Sequence, residues 1–300
     1  YTLHSTPYQL DFTKEIKVQS PEYYTAYSVY NIIKVINYYN KLFDNKIDFN
    51  SQKEYLNLKV SLGDVPFFTT PAYYIFEEKS YPSPSVFYHE IGHRAFWYME
   101  DSLDIKFKGL SYIHMGLLEY FTVSLNNSPF VGEDALPAKM VRDASVVWQY
   151  PPHDTLRMWY SIKTLKESYP EKIADPNTNI ARYYNSFVAM ADDEMMQYFD
   201  NHREGMLIAS TLWRIRQIVG QEKTDRLIAQ TILNLNEYMN ERDNFLPDEM
   251  KESARSRIDW FDLYYGLVEK DKELYNGENK AILEAEFKKT GFLVNNLINI

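Results

Sequence analysis

The sequence contains no cysteine and only 10 glycines among its 300 residues. Without cysteine, the chain can form neither a disulfide framework nor a cysteine-bound zinc site. The scarcity of glycine leaves few positions for turns with positive φ, which favours helix over tightly turning β structure. No apolar run approaches the length of about 18 residues that a transmembrane helix requires, so we expect no membrane span.

Clusters of basic residues are also lacking. The formal net charge is −10, and the 32 lysines and arginines are scattered along the chain. Nucleic-acid-binding proteins usually carry a basic stripe, so this pattern argues against nucleic acid as a partner. The contents of hydrophobic residues, 45%, and of charged residues, 25%, are typical of a globular protein. The length suits one compact unit of two lobes.

Helix signals dominate the sequence. At two places, 20–21 and 83–84, a serine followed by proline, a typical helix start, precedes apolar residues at helical spacing. A third start resembles a capping box, with asparagine at position 201 and glutamate three residues later. We predict helices over 20–43, 84–100, 113–126 and 201–219, and a charge-rich helical region over 250–290.

The best strand candidates lie in the first third of the chain. Residues 54–62 alternate apolar and polar side chains, and residues 66–78 are rich in aromatic and β-favouring types. We therefore predict an α+β protein in which a small β-containing N-terminal lobe, 1–101, and a mostly helical C-terminal lobe, 102–300, form one unit. The helix over 84–100 joins the two lobes.

The joining helix carries a His-Glu-Ile-Gly-His sequence at 89–93, an HExxH motif. Residues four apart lie about 5–6 Å apart on one face of a helix, so His89 and His93 can bind one Zn²⁺. Glu90 projects about 100° around the helix from His89, where it can take a proton from a metal-bound water. The composition gives about 0.009 chance matches to this motif, which favours zinc over two ordinary histidines. Gly92 is unfavourable inside a helix and predicts a close neighbour.

The third zinc ligand must come from outside the motif. The metzincin pattern requires glycine and histidine at two later positions, but these are Phe96 and Met99. The next option is a carboxylate on the helix over 113–126, where Glu119 lies 26 positions after His93. We therefore predict Glu119 as the third ligand.

The motif, the Gly-Leu-Leu-Glu-Tyr-Phe segment at 116–121 and a later helix that contains His202 together resemble the gluzincins. These are the thermolysin-like and related zinc peptidases, whose third ligand is a glutamate. The resemblance covers about 85–125 and 198–220. It implies a zincin-like two-lobed fold, one catalytic Zn²⁺ and endopeptidase activity on a peptide or protein substrate. It also implies that Glu90 acts as general base and then acid, and that His202 stabilises the oxyanion.

The sequence departs from the gluzincin pattern at the metal. Gluzincins commonly have their glutamate ligand where this chain has Met115, and Glu119 then matches a later acid that does not bind the metal. A thioether is a poor zinc ligand compared with a carboxylate. Glu119 lies one helical turn further along the same face and can reach the metal from there, whereas His114 is a less favourable donor. Otherwise the protein is a catalytically impaired relative that binds a peptide or protein partner without cleaving it.

Three further features concern substrate, calcium and location. Residues 71–78 match in position the edge strand that pairs with extended substrate in thermolysin-like enzymes, although their aromatic side chains also suit a core. The acidic cluster at 192–194 lacks the ligand spacing of a Ca²⁺-binding loop, so Ca²⁺ has no support. The chain begins with Tyr1 rather than methionine. Together with the resemblance, this predicts a processed protein that is secreted, periplasmic or at the cell surface.

Overall fold

Helices make up most of the part of the chain that the structure, a computed structural model, describes. This part comprises residues 21–49, 59–63, 73–77, 83–105, 107, 112–133, 141–147, 174, 194–238 and 260–291. Its helices are α1 (Pro21–Leu42), α2 (Pro84–Leu103), α3 (Tyr112–Asn126), α4 (Glu194–Val219), α5 (Gln221–Leu233), α6 (Trp260–Tyr275) and α7 (Lys280–Thr290). Its strands are β1 (Lys59–Gly63), β2 (Tyr73–Glu77), β3 (Phe130–Val131) and β4 (Arg142–Asp143).

The strands form two small sheets. Strands β1 and β2 run parallel, and their register pairs Lys59 with Tyr73. Strands β3 and β4 run antiparallel, and Phe130 pairs with Asp143. The described residues are mostly helical with little sheet, which is compatible with the predicted α+β class. Among the described residues, we find no helix with the length and apolar character needed to cross a membrane.

The predicted helices over 20–43, 84–100 and 113–126 are confirmed within a few residues. The fourth prediction was wrong at its start, because α4 begins at Glu194 and the expected capping box lies inside it. The residues before position 201 include glutamate, methionine and glutamine, which favour helix, so the helix extends past the local capping signal. The charge-rich region contains α6 and α7, and Leu263, Leu267, Leu283 and Phe287 of these helices contribute to the core.

Close packing at glycine positions sets the distances between the central helices. A Cβ atom at Gly92 would lie 2.4 Å from Cδ1 of Leu118 and 2.8 Å from the hydroxyl oxygen of Tyr39, so α2 packs tightly on α3 and α1. A Cβ atom at Gly116 would lie 2.7 Å from the carbonyl oxygen of Gly205, so the backbones of α3 and α4 touch. The close neighbour predicted for Gly92 is therefore present.

A buried carboxylate ties α1, α3 and α5 together at the far end of α3. Asp225 on α5 accepts hydrogen bonds from the hydroxyls of Tyr120 at 2.6 Å, Ser124 at 2.7 Å and Tyr38 at 2.9 Å. Arg216 on α4 donates to the Ser124 hydroxyl at 3.2 Å. We call these five residues the Asp225 cluster. Its hydrogen bonds join four helices, so it has an architectural role.

Candidate metal site on helices α2 and α3

The two histidines of the HExxH motif lie side by side on a buried face of α2. His89 is 2% exposed and His93 is 3% exposed. Their ring centroids are 4.8 Å apart, and the ring planes are nearly perpendicular, at 88°. The proline at the first position of α2 and the helix-favouring pattern behind it place both rings at the spacing that the sequence predicts. The two rings therefore share one face of α2, and their role as zinc ligands stays a prediction.

Each histidine presents its Nδ1 atom to a side chain on α3. Nδ1 of His89 lies 3.4 Å from Oε1 of Glu119. Nδ1 of His93 lies 3.1 Å from Nε2 of His114. Glu119 and His114 are both fully buried. A metal bound by these two rings would therefore be bound through their Nε2 atoms.

Arg142 on β4 is the residue of this site that the sequence did not reveal. Its Nε atom forms an ion pair with Oε1 of Glu119 at 2.7 Å, and its side chain is 21% exposed. The backbone N–H of Gly132, which follows β3, donates to the Ser85 hydroxyl in the first turn of α2 at 2.8 Å. The small sheet that carries Arg142 is thereby tied to the histidine-bearing helix. A buried carboxylate such as Glu119 needs a cation beside it, so the sequence could predict that a cation lies near Glu119. It could not predict which residue supplies that cation.

The environment of Glu90 suits a proton acceptor. Its side chain is partly buried beside His89 on α2. Burial raises the pKa of the Glu90 carboxyl, His89 and Arg142 oppose this rise, and the carboxylate of Glu119 adds to it. A carboxylate with a raised pKa holds a proton more readily at neutral pH, which a general base needs in order to pass that proton on.

The three predicted ligands lie in one cluster, but not in the arrangement of a complete metal site. No group of three or more histidine, aspartate or glutamate side chains in the described part of the chain is placed to hold a metal ion. Glu119 lies at the Nδ1 side of His89 and is engaged with Arg142. Met115 is fully buried, and its Cβ atom packs against Gly205 of α4. Glu119 as third ligand therefore stays a prediction.

The fit of a zinc ion to this cluster depends on how the imidazoles are held. Metal-binding histidines almost always donate their other ring N–H to a carboxylate, a carbonyl or another acceptor, which fixes the ring orientation. His114 stands in that position for His93, within hydrogen-bond distance, whereas Glu119 lies on the same side of His89 at an ion-pair distance of 3.4 Å, without hydrogen-bond geometry between the two atoms. The donor set therefore fits two of the ligand positions of a histidine-bound zinc.

Three predicted features lie wholly or partly outside the described residues. The backbone of His202 lies in α4, one turn before Gly205, but its side chain is outside the described part. Asp192 and Asp193 of the acidic cluster are outside it as well. Of the expected substrate-binding segment, the structure describes β2, without its side chains. The roles of these residues stay predictions.

Comparisons of the chain with protein-family models, with curated proteins and with solved structures find no match. The function of the protein must therefore be inferred from the chemistry of the site. That chemistry consists of two imidazoles held from α3, a glutamate beside them and an ion-paired carboxylate behind them.

Proposed function

We propose that this protein is a zinc-dependent metallopeptidase, in which His89 and His93 hold the metal through Nε2. The observation that carries the proposal is the pair of contacts from α3 to the Nδ1 atoms, 3.4 Å for His89 and 3.1 Å for His93. These contacts put α3 on the Nδ1 side of both rings, which is the side where the ring N–H of a metal-binding histidine has its outer partner when the metal is bound through Nε2. A zincin-like two-lobed fold and an exported location belong to the same proposal.

Each residue of the proposed site has one task. A zinc ion bound there supplies Lewis-acid activation of water and polarises the peptide carbonyl. Glu90 takes the proton of the attacking water and returns it to the nitrogen of the leaving amine. By resemblance to the gluzincins, His202 donates a hydrogen bond to the carbonyl oxygen as negative charge develops on it. An extended peptide would pair with the strand at 73–77, as substrates do in β-augmentation.

The position of Glu119 supports a role in orienting His89. A carboxylate that accepts Nδ1–H raises the basicity of the imidazole and fixes its tautomer. Arg142 neutralises the buried anion at 2.7 Å and keeps Glu119 on that side of the ring. As a ligand, Glu119 would have to leave this arrangement and bind from the next helical turn. Substitution distinguishes the two roles, as described in the Discussion.

A second candidate function is a catalytically impaired relative that binds a peptide or protein partner. The observation that favours it is the engagement of Glu119 with Arg142, together with the packing of Met115 against α4. In this arrangement, neither Glu119 nor Met115 is placed as a third ligand, and the described residues contain no group of three that could hold a metal ion. Metal content separates the candidates, because stoichiometric zinc in dialysed wild-type protein supports the peptidase. Protein that retains no zinc and cleaves no peptide supports the impaired relative.

The direct test is Glu90→Gln, which keeps the size of the side chain and removes the proton acceptor. Cleavage of a fluorogenic peptide library should fall by about 10²–10⁴-fold, the usual contribution of general acid–base catalysis. Asp101→Asn, an exposed neutralisation on the same helix, should leave the rate unchanged. Undiminished cleavage by Glu90→Gln in zinc-loaded protein would contradict the proposed mechanism.

A further inference from the structure

His114 is a buried imidazole to which the proposed reaction assigns no task. Its ring stacks on Phe96 at a centroid distance of 4.8 Å and meets Phe107 edge-on at 5.8 Å. His114 and both phenyl rings are fully buried. In so close-packed an interior, the imidazole cannot turn without displacing its aromatic neighbours. The packing therefore fixes the directions in which its two nitrogens point.

The nitrogen that faces the site is Nε2, which lies 3.1 Å from Nδ1 of His93. Two neutral imidazoles in this contact share one proton, because one nitrogen must donate and the other must accept. A neutral histidine that binds a metal through Nε2 carries its proton on Nδ1. In that state His93 is the donor and Nε2 of His114 is the acceptor. The proton of His114 then lies on its own Nδ1.

Two further ring contacts restrain the plane of the His93 ring. Trp97 stacks on it at a centroid distance of 5.4 Å with an interplanar angle of 17°, and His89 meets it edge-on. Stacking restrains the plane of a ring, but a hydrogen-bond partner decides which nitrogen carries the proton. His114 is such a partner for Nδ1 of His93, and its Nε2 atom can accept the proton that His93 carries there when a metal is bound through Nε2.

We propose that His114 is a positioning residue that orients the ring of His93 and accepts the proton of its Nδ1 atom when His93 binds a metal cation through Nε2. The inference rests on the proposed function, since it requires a metal site at His89 and His93. His114 acts through His93 and is not itself a ligand, because its Nε2 accepts the proton of His93. Packing alone does not explain a histidine here. Leucine would fill the space between Phe96 and Phe107 without burying polar nitrogens, which is unfavourable unless they are hydrogen-bonded.

The experiment compares two substitutions of His114 with one packing control. His114→Leu removes the acceptor, whereas His114→Gln offers a side-chain oxygen near the position of Nε2. Phe107→Leu is the matched control, because it loosens the same packing and keeps the imidazole. Zinc affinity is measured by competition with a chromophoric chelator. The visible spectrum of the Co²⁺-loaded protein reports the ligand environment, and thermal unfolding reports the fold.

We expect His114→Leu to weaken zinc binding by about 10–100-fold and to shift the Co²⁺ absorption bands. His114→Gln should recover most of the affinity, and Phe107→Leu, which loosens the packing but keeps the acceptor, should weaken zinc binding by less than His114→Leu does. Wild-type affinity in His114→Leu overturns the role of His114 and leaves the proposed function standing. Failure of the wild-type protein to bind zinc overturns both.

A second measurement applies if His114→Leu does not fold. Nitrogen-15 NMR of zinc-loaded wild-type protein with labelled histidine reports which ring nitrogens carry protons. A protonated Nδ1 in His93 together with an unprotonated Nε2 in His114 supports the proposal. A protonated Nε2 in His114 overturns it, because that nitrogen would then be a donor to His93.

Discussion

Helix α3 carries one buried carboxylate, Glu119, and contacts a second one, Asp225 of α5, and the two carboxylates have different kinds of surroundings. Asp225 accepts hydrogen bonds from three hydroxyls at 2.6–2.9 Å, and these join α1, α3 and α5. Glu119, in the middle of α3, lies against an arginine and a histidine, Arg142 and His89. Hydroxyls keep their protons at any physiological pH, whereas an imidazole can change both its protonation and its ligands. The first arrangement holds helices in place, and the second holds groups that can take part in chemistry.

The comparison predicts that the two carboxylates fail in different ways when they are changed. Loss of Asp225 should cost stability and leave the site chemically intact. Loss of Glu119 should change metal binding more than stability, because Arg142 is 21% exposed and retains contact with water. Each of the following experiments measures one side of this difference.

The largest effect is expected from Asp225→Ala. Removing the acceptor leaves the hydroxyls of Tyr38, Tyr120 and Ser124 without it, so the free energy of unfolding should fall by about 3–5 kcal/mol, as when a buried charged partner is deleted. Urea unfolding followed by far-UV circular dichroism measures this change. Glu222→Ala, an exposed substitution on the same helix, should stay within about 0.5 kcal/mol of wild type. If Asp225→Ala lost no more free energy of unfolding than this control, the Asp225 cluster would have no architectural role.

Glu119→Gln should show the opposite balance. Zinc affinity should fall by about 10–100-fold if Glu119 orients His89, because glutamine accepts Nδ1–H less strongly than a carboxylate does. The free energy of unfolding should fall by about 1–3 kcal/mol, since the buried end of Arg142 loses its counter-charge. Complete loss of zinc binding would instead identify Glu119 as a ligand. Unchanged zinc affinity with a large loss of stability would make Glu119 structural, like Asp225.

Two tyrosines test the same contrast with single hydroxyl deletions. The Tyr120 hydroxyl donates to Asp225, whereas the Tyr39 hydroxyl is buried against Gly92 and has no hydrogen-bond partner within the described structure. Tyr120→Phe should lower the free energy of unfolding by about 1–2 kcal/mol. Tyr39→Phe should be neutral or slightly stabilising, because it removes an unsatisfied buried polar group. Equal losses in the two variants would show that the Tyr39 hydroxyl also has a partner.

The parts of the site that depend on neighbouring residues in the sequence could be predicted from the sequence alone. The proline start, the helical spacing and the HExxH motif lie within 20 residues of one another, and α2 follows from them directly. The partners of the two imidazoles come from another helix, 21 positions from His93 to His114 and 30 from His89 to Glu119. Glu119 was predicted because its segment resembles a known pattern, but its contact with Nδ1 depends on how α2 and α3 cross. That crossing is set by Gly92 against Leu118, a tertiary contact that spacing cannot reveal.

Arg142 and the start of α4 show what local patterns miss. Arg142 stands in a strand of two residues, too short to leave a periodic signal, and it reaches Glu119 only after β3 and β4 have paired. The capping-box pattern at 201 is satisfied locally, yet the favourable helix formers before it extend α4 back to Glu194. In both cases, the outcome depends on how separate segments of the chain interact, so the pattern within one segment does not predict it.

The smallest expected effect is the pH dependence of Asp225. Burial raises the pKa of its carboxyl, and the hydrogen bonds from Tyr120, Ser124 and Tyr38 and the charge of Arg216 oppose that rise without cancelling it. A carboxyl whose pKa is higher in the folded than in the unfolded protein binds more protons when folded. Its contribution to stability is therefore complete below the unfolded pKa of about 3.9 and is lost as the pH rises through the folded pKa.

Urea unfolding of the wild type and of Asp225→Asn at a series of pH values isolates this contribution. The free energy of unfolding of the wild type should decline relative to that of Asp225→Asn as the pH rises from the unfolded pKa through the folded one, and the difference should then be constant. The opposite slope would mean that the hydroxyls and Arg216 favour the anion. Asp225 would then be a stabilised carboxylate with a cation behind it, as Glu119 is, and the chemical distinction between the two clusters would rest on His89 alone.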